Sequence, residues 1–136
     1  MASISKRIPL DTDADTVWTA LRDVGNAHLV FGPVLTDCHM EGDDVRVVTF
    51  ANGMVVHELI VDVDDTARRL AYTVVDGPFL HHHASFTVAA GPHGTSELSW
   101  VSDVVPNATA PMVEDLMQQG ATAAQQAFTR AAMLES

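Results

Sequence analysis

The spacing of apolar positions divides the chain into a leading strand, two short helices, a run of strands and one long helix. Residues 3–10 read as a strand on the alternation of Ile4, Lys6 and Ile8, ended by Pro9 and the turn-forming stretch 11–13. Asp13 then caps a helix over 14–24, where Val17, Trp18, Leu21 and Val24 recur at helical spacing and Gly25-Asn26 stops them. A short helical or loop piece over 27–31 is broken by Gly32-Pro33.

From there the period falls from 3.6 to 2. Six apolar runs follow, over 34–40, 44–51, 54–63, 69–76, 81–90 and 95–105. They are separated by Glu41-Gly42-Asp43, Asn52-Gly53, Asp64-Asp65-Thr66, Gly77-Pro78 and the stretch 91–94. Connections this short predict an antiparallel meander.

The last element is a long amphipathic helix over 110–134. Val113, Leu116, Met117, Gly120, Ala121, Ala124, Ala127, Phe128, Ala131 and Leu134 share one face, and Glu114, Asp115, Gln118, Gln119, Thr122 and Gln126 avoid it. Thr109 is the expected N-cap, Pro111 falls in the first turn, Glu114 and Asp115 sit near the positive end of the dipole and Arg130 near the other. The middle of the apolar face is small. Either a strand packs very close to Gly120, Ala121, Ala124 and Ala127, or these residues line a space. A mid-helix glycine costs about 1 kcal/mol relative to alanine, so Gly120 implies a reason for its presence.

These elements predict an α+β fold: a curved antiparallel sheet of seven strands wrapped around the long C-terminal helix, with two short helices after the first strand. At 136 residues the chain is expected to form a single domain over 1–136. With 47% hydrophobic and 18% charged residues it is globular rather than disordered. A formal charge of −11 argues against nucleic acid and anionic membrane surfaces as partners. No apolar run reaches the ~18 residues of a membrane span, so no membrane insertion is expected. The N-terminus lacks an apolar leader core, and the expected location is cytoplasmic. Cys38 is alone and reads as a small buried hydrophobe.

Strand alternation sorts the candidate chemistry by face. Leu70, Tyr72 and Val74 point inward together, and Ala84, Phe86 and Val88 bring His82 inward while His81 and His83 face out. On the last strand Leu98, Trp100, Ser102 and Val104 are the favoured inner set. The hairpin around Asn52-Gly53 leaves two registers open. A two-residue turn puts Arg46, Val48 and Phe50 with Val55, His57 and Leu59; a three-residue turn puts them with Val56, Glu58 and Ile60, and sets Arg46 opposite Glu58. The apolar alternation of Val55, Leu59, Val61 and Val63 favours His57 inside, whereas an enclosed ion pair would explain Arg46 and Glu58 together. A third possibility leaves both charges on the solvated face.

Seven histidines do not amount to a metal site. Only His81 and His83 of the triplet share a face, and there is no HExxH pattern, so no metal is expected. His28, His39 and His93 read as surface residues. Neither a GxSxG nucleophile nor a glycine-rich phosphate cradle is present.

The order of elements, with Glu41-Gly42, Val45-Arg46, Asn52-Gly53, His57-Glu58-Leu59, Asp64-Asp65, Arg68 to Tyr72, Gly77-Pro78 and Trp100 to Pro106 before the last helix, resembles the helix-grip fold of the SRPBCC superfamily. That superfamily includes the START-like polyketide cyclases, the birch-pollen allergen group and the plant abscisic-acid receptors, in which the Glu of this motif faces the pocket. The resemblance implies an internal apolar cavity between sheet and helix that takes a small hydrophobic or aromatic molecule without a cofactor. As a cyclase or dehydratase, the protein would use Arg46 to hold a substrate oxygen, Glu58 and His82 as acid or base, and Tyr72 as hydrogen-bond donor. Trp100 and Phe128 would form apolar wall. Val48, Phe50, Val56, His57, Val74, Ala84, Phe86, Leu98, Met117, Gly120, Ala121, Ala124 and Gln125 complete the expected lining. The alternative is a non-catalytic carrier or sensor with a lining such as Met117, Phe50, Val48 and Leu98. A partner-binding module would need an exposed apolar patch, which the sequence does not suggest. The expected assembly is a monomer or homodimer.

Overall fold

The computed structural model describes residues 2–135, with side chains described for residues 2–129. Arg130, Ala131 and Leu134, assigned above to the end of the last helix, lie outside the described side chains. The elements are β1 (Ala2–Leu10), α1 (Ala14–Arg22), α2 (Ala27–Phe31), β2 (Leu35–Glu41), β3 (Val45–Phe50), β4 (Val55–Asp64), β5 (Arg69–Val74), β6 (His81–Ala90), β7 (Ser96–Val105) and α3 (Ala110–Glu135). A short 3₁₀ turn, Val24–Asn26, joins α1 to α2.

The seven strands form one antiparallel sheet in the order β1-β7-β6-β5-β4-β3-β2. Strands β2 to β7 are the expected meander, and β1 closes its far edge by pairing with β7 from Ala2↔Val104 to Leu10↔Ser96. The sheet curves around α3, which buries Val113, Met117, Ala121, Ala124 and Phe128. Helix α1 starts where Asp13 accepts the Thr16 N–H at 3.1 Å. It is tied to the β4–β5 turn by Asp65, which takes hydrogen bonds from Trp18 Nε1 at 2.9 Å and Arg22 Nε at 2.7 Å.

Two local expectations are corrected. Thr109 does not cap α3 with its side chain: a 3₁₀ turn, Asn107–Thr109, precedes the helix, and the hydroxyl donates back to the Pro106 carbonyl at 2.7 Å. Strand β5 stops at Val74 rather than residue 76, because Asp76 turns its carboxylate onto β4 and accepts the His57 N–H at 3.1 Å.

The core between sheet and helices is closely filled at one end. Ile8, Leu10, Val17, Trp18, Val88, Leu98, Ala124 and Phe128 are all buried there. On the outer face Val61, Val75 and Leu80 stand exposed around a shallow depression, an apolar patch that the sequence did not suggest. No described helix is long and apolar enough to cross a membrane.

Candidate functional site

The register of the β3–β4 hairpin decides the chemistry of the interior. The Phe50 N–H bonds to the Met54 carbonyl, leaving Ala51, Asn52 and Gly53 as a three-residue loop, with Gly53 at φ +90° where a side chain would be strained. The odd loop length pairs Arg46 with Glu58. Their side chains are 5% and 11% exposed, and Arg46 Nε donates to Glu58 Oε1 at 2.7 Å. Arg46 Nη1 reaches the Val24 carbonyl at 3.4 Å, and the guanidinium lies over the Tyr72 ring, 5.0 Å from its centroid. Burial works against the charge on Arg46, but Glu58 and then Tyr72 outweigh it and hold its pKa above the ordinary value.

His57 therefore faces outward, and its assignment to the lining is corrected. Its Nδ1 lies 2.9 Å from Asp76 and its Nε2 3.6 Å from Glu41, and these carboxylates raise its pKa, with the Asp76 hydrogen bond the largest cause. The alternation that favoured it inside runs across a bulge at Val61. Beyond that bulge Val63 pairs with Leu70, in phase with Glu58 and Ile60 rather than with His57.

Beside the pair, between the concave sheet face and the first half of α3, lies a cavity of about 180 Å³. Arg46 and Phe50 of β3, Val56 and Glu58 of β4, Tyr72 and Val74 of β5, His82 and Phe86 of β6, and Trp100 of β7 all line it, with Met117 and Gly120 from α3. Phe86 stacks on Tyr72 at 5.9 Å and on Phe31 at 5.5 Å, and Trp100 donates from Nε1 to the Tyr72 hydroxyl at 3.3 Å. Burial first, then Glu58, pushes the Tyr72 phenol well above its usual range, so it remains a neutral donor.

Gly120 meets both readings of the small helix face. It lines the cavity, and a Cβ there would stand 2.8 Å from Trp100 Cζ3, so the indole occupies the room that the glycine leaves. The other small residues do not line the space. Ala121 and Ala124, with Val48, Ala84, Leu98 and Phe128, are packed in the closed core, among bulky side chains such as Ile8, Phe86 and Val88. Gln125 is exposed and donates to the Pro9 carbonyl at 3.3 Å. These seven are corrections to the expected lining.

His82 is buried, but its chemistry differs from that expected. Its Nδ1 accepts the Val74 N–H at 3.0 Å, which leaves the proton on Nε2. Burial, then His83 and His81, lowers its pKa to about 4. At neutral pH it is a neutral donor with its acceptor nitrogen already used, not an acid or base. The Cys38 thiol is buried, its pKa raised first by burial, and it contacts the Val24 carbonyl at 3.5 Å. His28 is half-buried rather than on the surface, with Nδ1 enclosed. Among the described residues no three His, Cys, Asp or Glu side chains come together as a metal site would require.

The sequence reading missed Phe31 and the mouth, and it left Ser102, placed on the inner face, out of the expected lining. Phe31 sits on the five-residue α2, too short to show periodicity, yet it contacts both Phe86 and Trp100. Pro78 and Phe79, read only as turn and connection, line the cavity from the β5–β6 loop, as Met54 and Met112 do from their own segments.

Known proteins agree with this architecture. An uncharacterized protein from Bacillus thuringiensis superposes with a TM-score of 0.85 at 20% identity, covering 94% of this chain and 99% of that one. A START superfamily protein from Mycobacterium smegmatis gives 0.74 at 16% identity, with 95% and 98% covered. The di-domain ARO/CYC protein BexL of the BE-7585A biosynthetic pathway gives 0.79 at 16% identity over 93% of this chain and 46% of BexL. Among curated proteins none matches the sequence. At these identities the structural likeness is one of fold. The family model described as polyketide cyclase / dehydrase and lipid transport matches residues 1–132, and the chain belongs to that family.

Proposed function

We propose that the protein binds a small hydrophobic or aromatic molecule in this cavity and promotes its cyclisation or dehydration by proton transfer, without a cofactor. The observation that carries the reading is the enclosed Arg46–Glu58 pair in a wall that is otherwise largely apolar and aromatic. A carrier has no need of an ion pair there, since leaving two charges in a poorly solvated place is costly unless they are used or well paired.

In the proposed reaction Glu58 takes a proton from a carbon next to a ligand carbonyl, and the electron pair moves onto the carbonyl oxygen. The Arg46 guanidinium stabilises that developing charge. The enolate carbon attacks a second carbonyl of the same folded molecule, and the new alkoxide recovers the proton from Glu58. In the dehydrating variant a hydroxyl leaves with that proton as water. Tyr72 and His82 donate hydrogen bonds, while Phe31, Phe86 and Trp100 hold the ring system in a reactive conformation.

A second reading, a non-catalytic carrier or sensor, is favoured by one observation. Glu58 is already bonded to Arg46 through Oε1 at 2.7 Å, the Asp76 carboxylate in the lining is turned onto His57, and His82 has no free acceptor nitrogen, so each base of the described lining already has a partner. Deuterium exchange at the α-carbon of acetophenone, followed by NMR in heavy water, separates the two. Acceleration by the native protein and its loss in Glu58→Gln supports catalysis. Binding without acceleration supports the carrier.

A further inference from the structure

Resting on the reading of this cavity as a ligand site, we infer that it selects an uncharged aromatic molecule bearing two oxygen functions at opposite ends, one held by Arg46 and Glu58 and the other by the hydroxyl of Ser102. Ser102 is 2% exposed and lines the cavity from β7, yet its Oγ makes no hydrogen bond among the described residues. Of the side-chain polar atoms sealed from solvent in the described residues, His28 Nδ1 alone lacks a partner, so the free Ser102 hydroxyl opens onto cavity space. The same holds at the other pole. Arg46 uses Nε and Nη1, and Glu58 uses Oε1, which leaves Arg46 Nη2 as a donor and Glu58 Oε2 as an acceptor.

The two poles are separated by the sheet itself. Glu58 pairs with Val74 on β5, and Tyr72 two residues earlier pairs with Ala84, which pairs with Ser102. Three strand spacings of about 4.8 Å separate β4 from β7, and the curvature of the sheet with the inward reach of Arg46 and Glu58 shortens that gap. Between the poles lie aromatic faces, Tyr72, Phe86 and Trp100, suited to a flat ring. Size and charge narrow the class further. The space of about 180 Å³ is below the ~300–1,000 Å³ of sites for drug-sized ligands and close to cavities of about 150 Å³ that accept benzene. Arg46 is already neutralised by Glu58, so a carboxylate would meet an acceptor rather than an unpaired cation, inside a chain of net charge −11.

A matched one-ring series tests this: ethylbenzene, acetophenone, para-hydroxyacetophenone and para-hydroxybenzoate, titrated calorimetrically into the whole chain and into Ser102→Ala, below the pKa of the phenol. Each well-placed neutral hydrogen bond is expected to tighten binding about three- to tenfold, so affinity should rise from ethylbenzene to acetophenone to para-hydroxyacetophenone. The carboxylate should bind at least tenfold more weakly than para-hydroxyacetophenone. Ser102→Ala should erase the advantage of the para hydroxyl while leaving ethylbenzene unchanged, which also reports that the variant is folded. Equal affinity across the neutral series, tightest binding of the carboxylate, or a para-hydroxyl preference that survives in Ser102→Ala overturns the inference and leaves the cavity reading standing. If none of the four binds, the cavity reading itself falls, and the inference with it.

Discussion

His57 and Glu58 are neighbours on one strand and face opposite sides of it, and the two sides treat charge differently. On the concave side Glu58 meets a single guanidinium at 2.7 Å among apolar and aromatic walls. On the convex side His57 lies between two carboxylates, with more than a third of its side chain exposed to solvent. The enclosed pair is a mutual requirement: either charge alone would be stranded. The outer cluster is a convenience that water and salt can replace.

The largest expected effect breaks the enclosed side. Glu58→Leu alone should cost on the order of 3–5 kcal/mol, while Arg46→Met combined with Glu58→Leu should recover most of it. A double-mutant cycle in urea measures this directly. Coupling below about 0.5 kcal/mol would mean that the two faces are not different after all.

Next in size is the packing of α3 against the rest of the core. Ala124→Phe forces a ring into filled core and should cost about 1–3 kcal/mol in thermal or urea unfolding, with cavity binding retained if the fold survives. Gly120→Ala gains up to about 1 kcal/mol of helix propensity but drives a methyl to 2.8 Å from Trp100. Its signature should be a shifted tryptophan emission spectrum and altered binding of a fluorescent aromatic probe, more than lost stability.

The histidines sharpen the comparison through pH. His82 binds its proton in the unfolded chain near pH 6.5 but in the folded protein only near about 4. The unfolded state therefore holds more protons in that window, and stability contributed at this site falls as the pH drops from 6.5 toward 4. His82→Asn, which can still accept the Val74 N–H, should flatten that slope. His57 is shifted upward, so its contribution is complete below pH 6.5 and disappears as the pH rises through its folded value. The smallest effect expected is that of His57→Gln: a slight loss in urea midpoint at acid pH that vanishes in alkaline buffer, and that is reduced further by salt.

Much of the fold was legible because its signals are local and repeated. The apolar face of α3 and the turn residues between short alternating strands each point to one element. The site was less legible where geometry depends on a count. The number of loop residues at Ala51 to Gly53 and the bulge at Val61 each move side chains by half a period, and neither shows in the hydropathy of β4. Small residues on α3 misled in another way. Ala121 and Ala124 signal close approach, which a tightly packed core and a ligand wall both require, and only the bulk of the opposing side chains tells them apart. Ser102 was placed on the inner face by its period, but that its hydroxyl would lack a partner depends on what the neighbouring strands omit.

The three-residue loop has a consequence for how this chain could change over generations. Inserting one residue there, with a three-residue turn kept, would slide β4 against β3 by half a pleat and set His57 where Glu58 stands, exchanging an acid beside a guanidinium for an imidazole. Hardly any composition would alter, and every side chain involved would already be present. In a sheet of this kind, an inserted or deleted codon in a hairpin can recast the interior more thoroughly than a substitution within it.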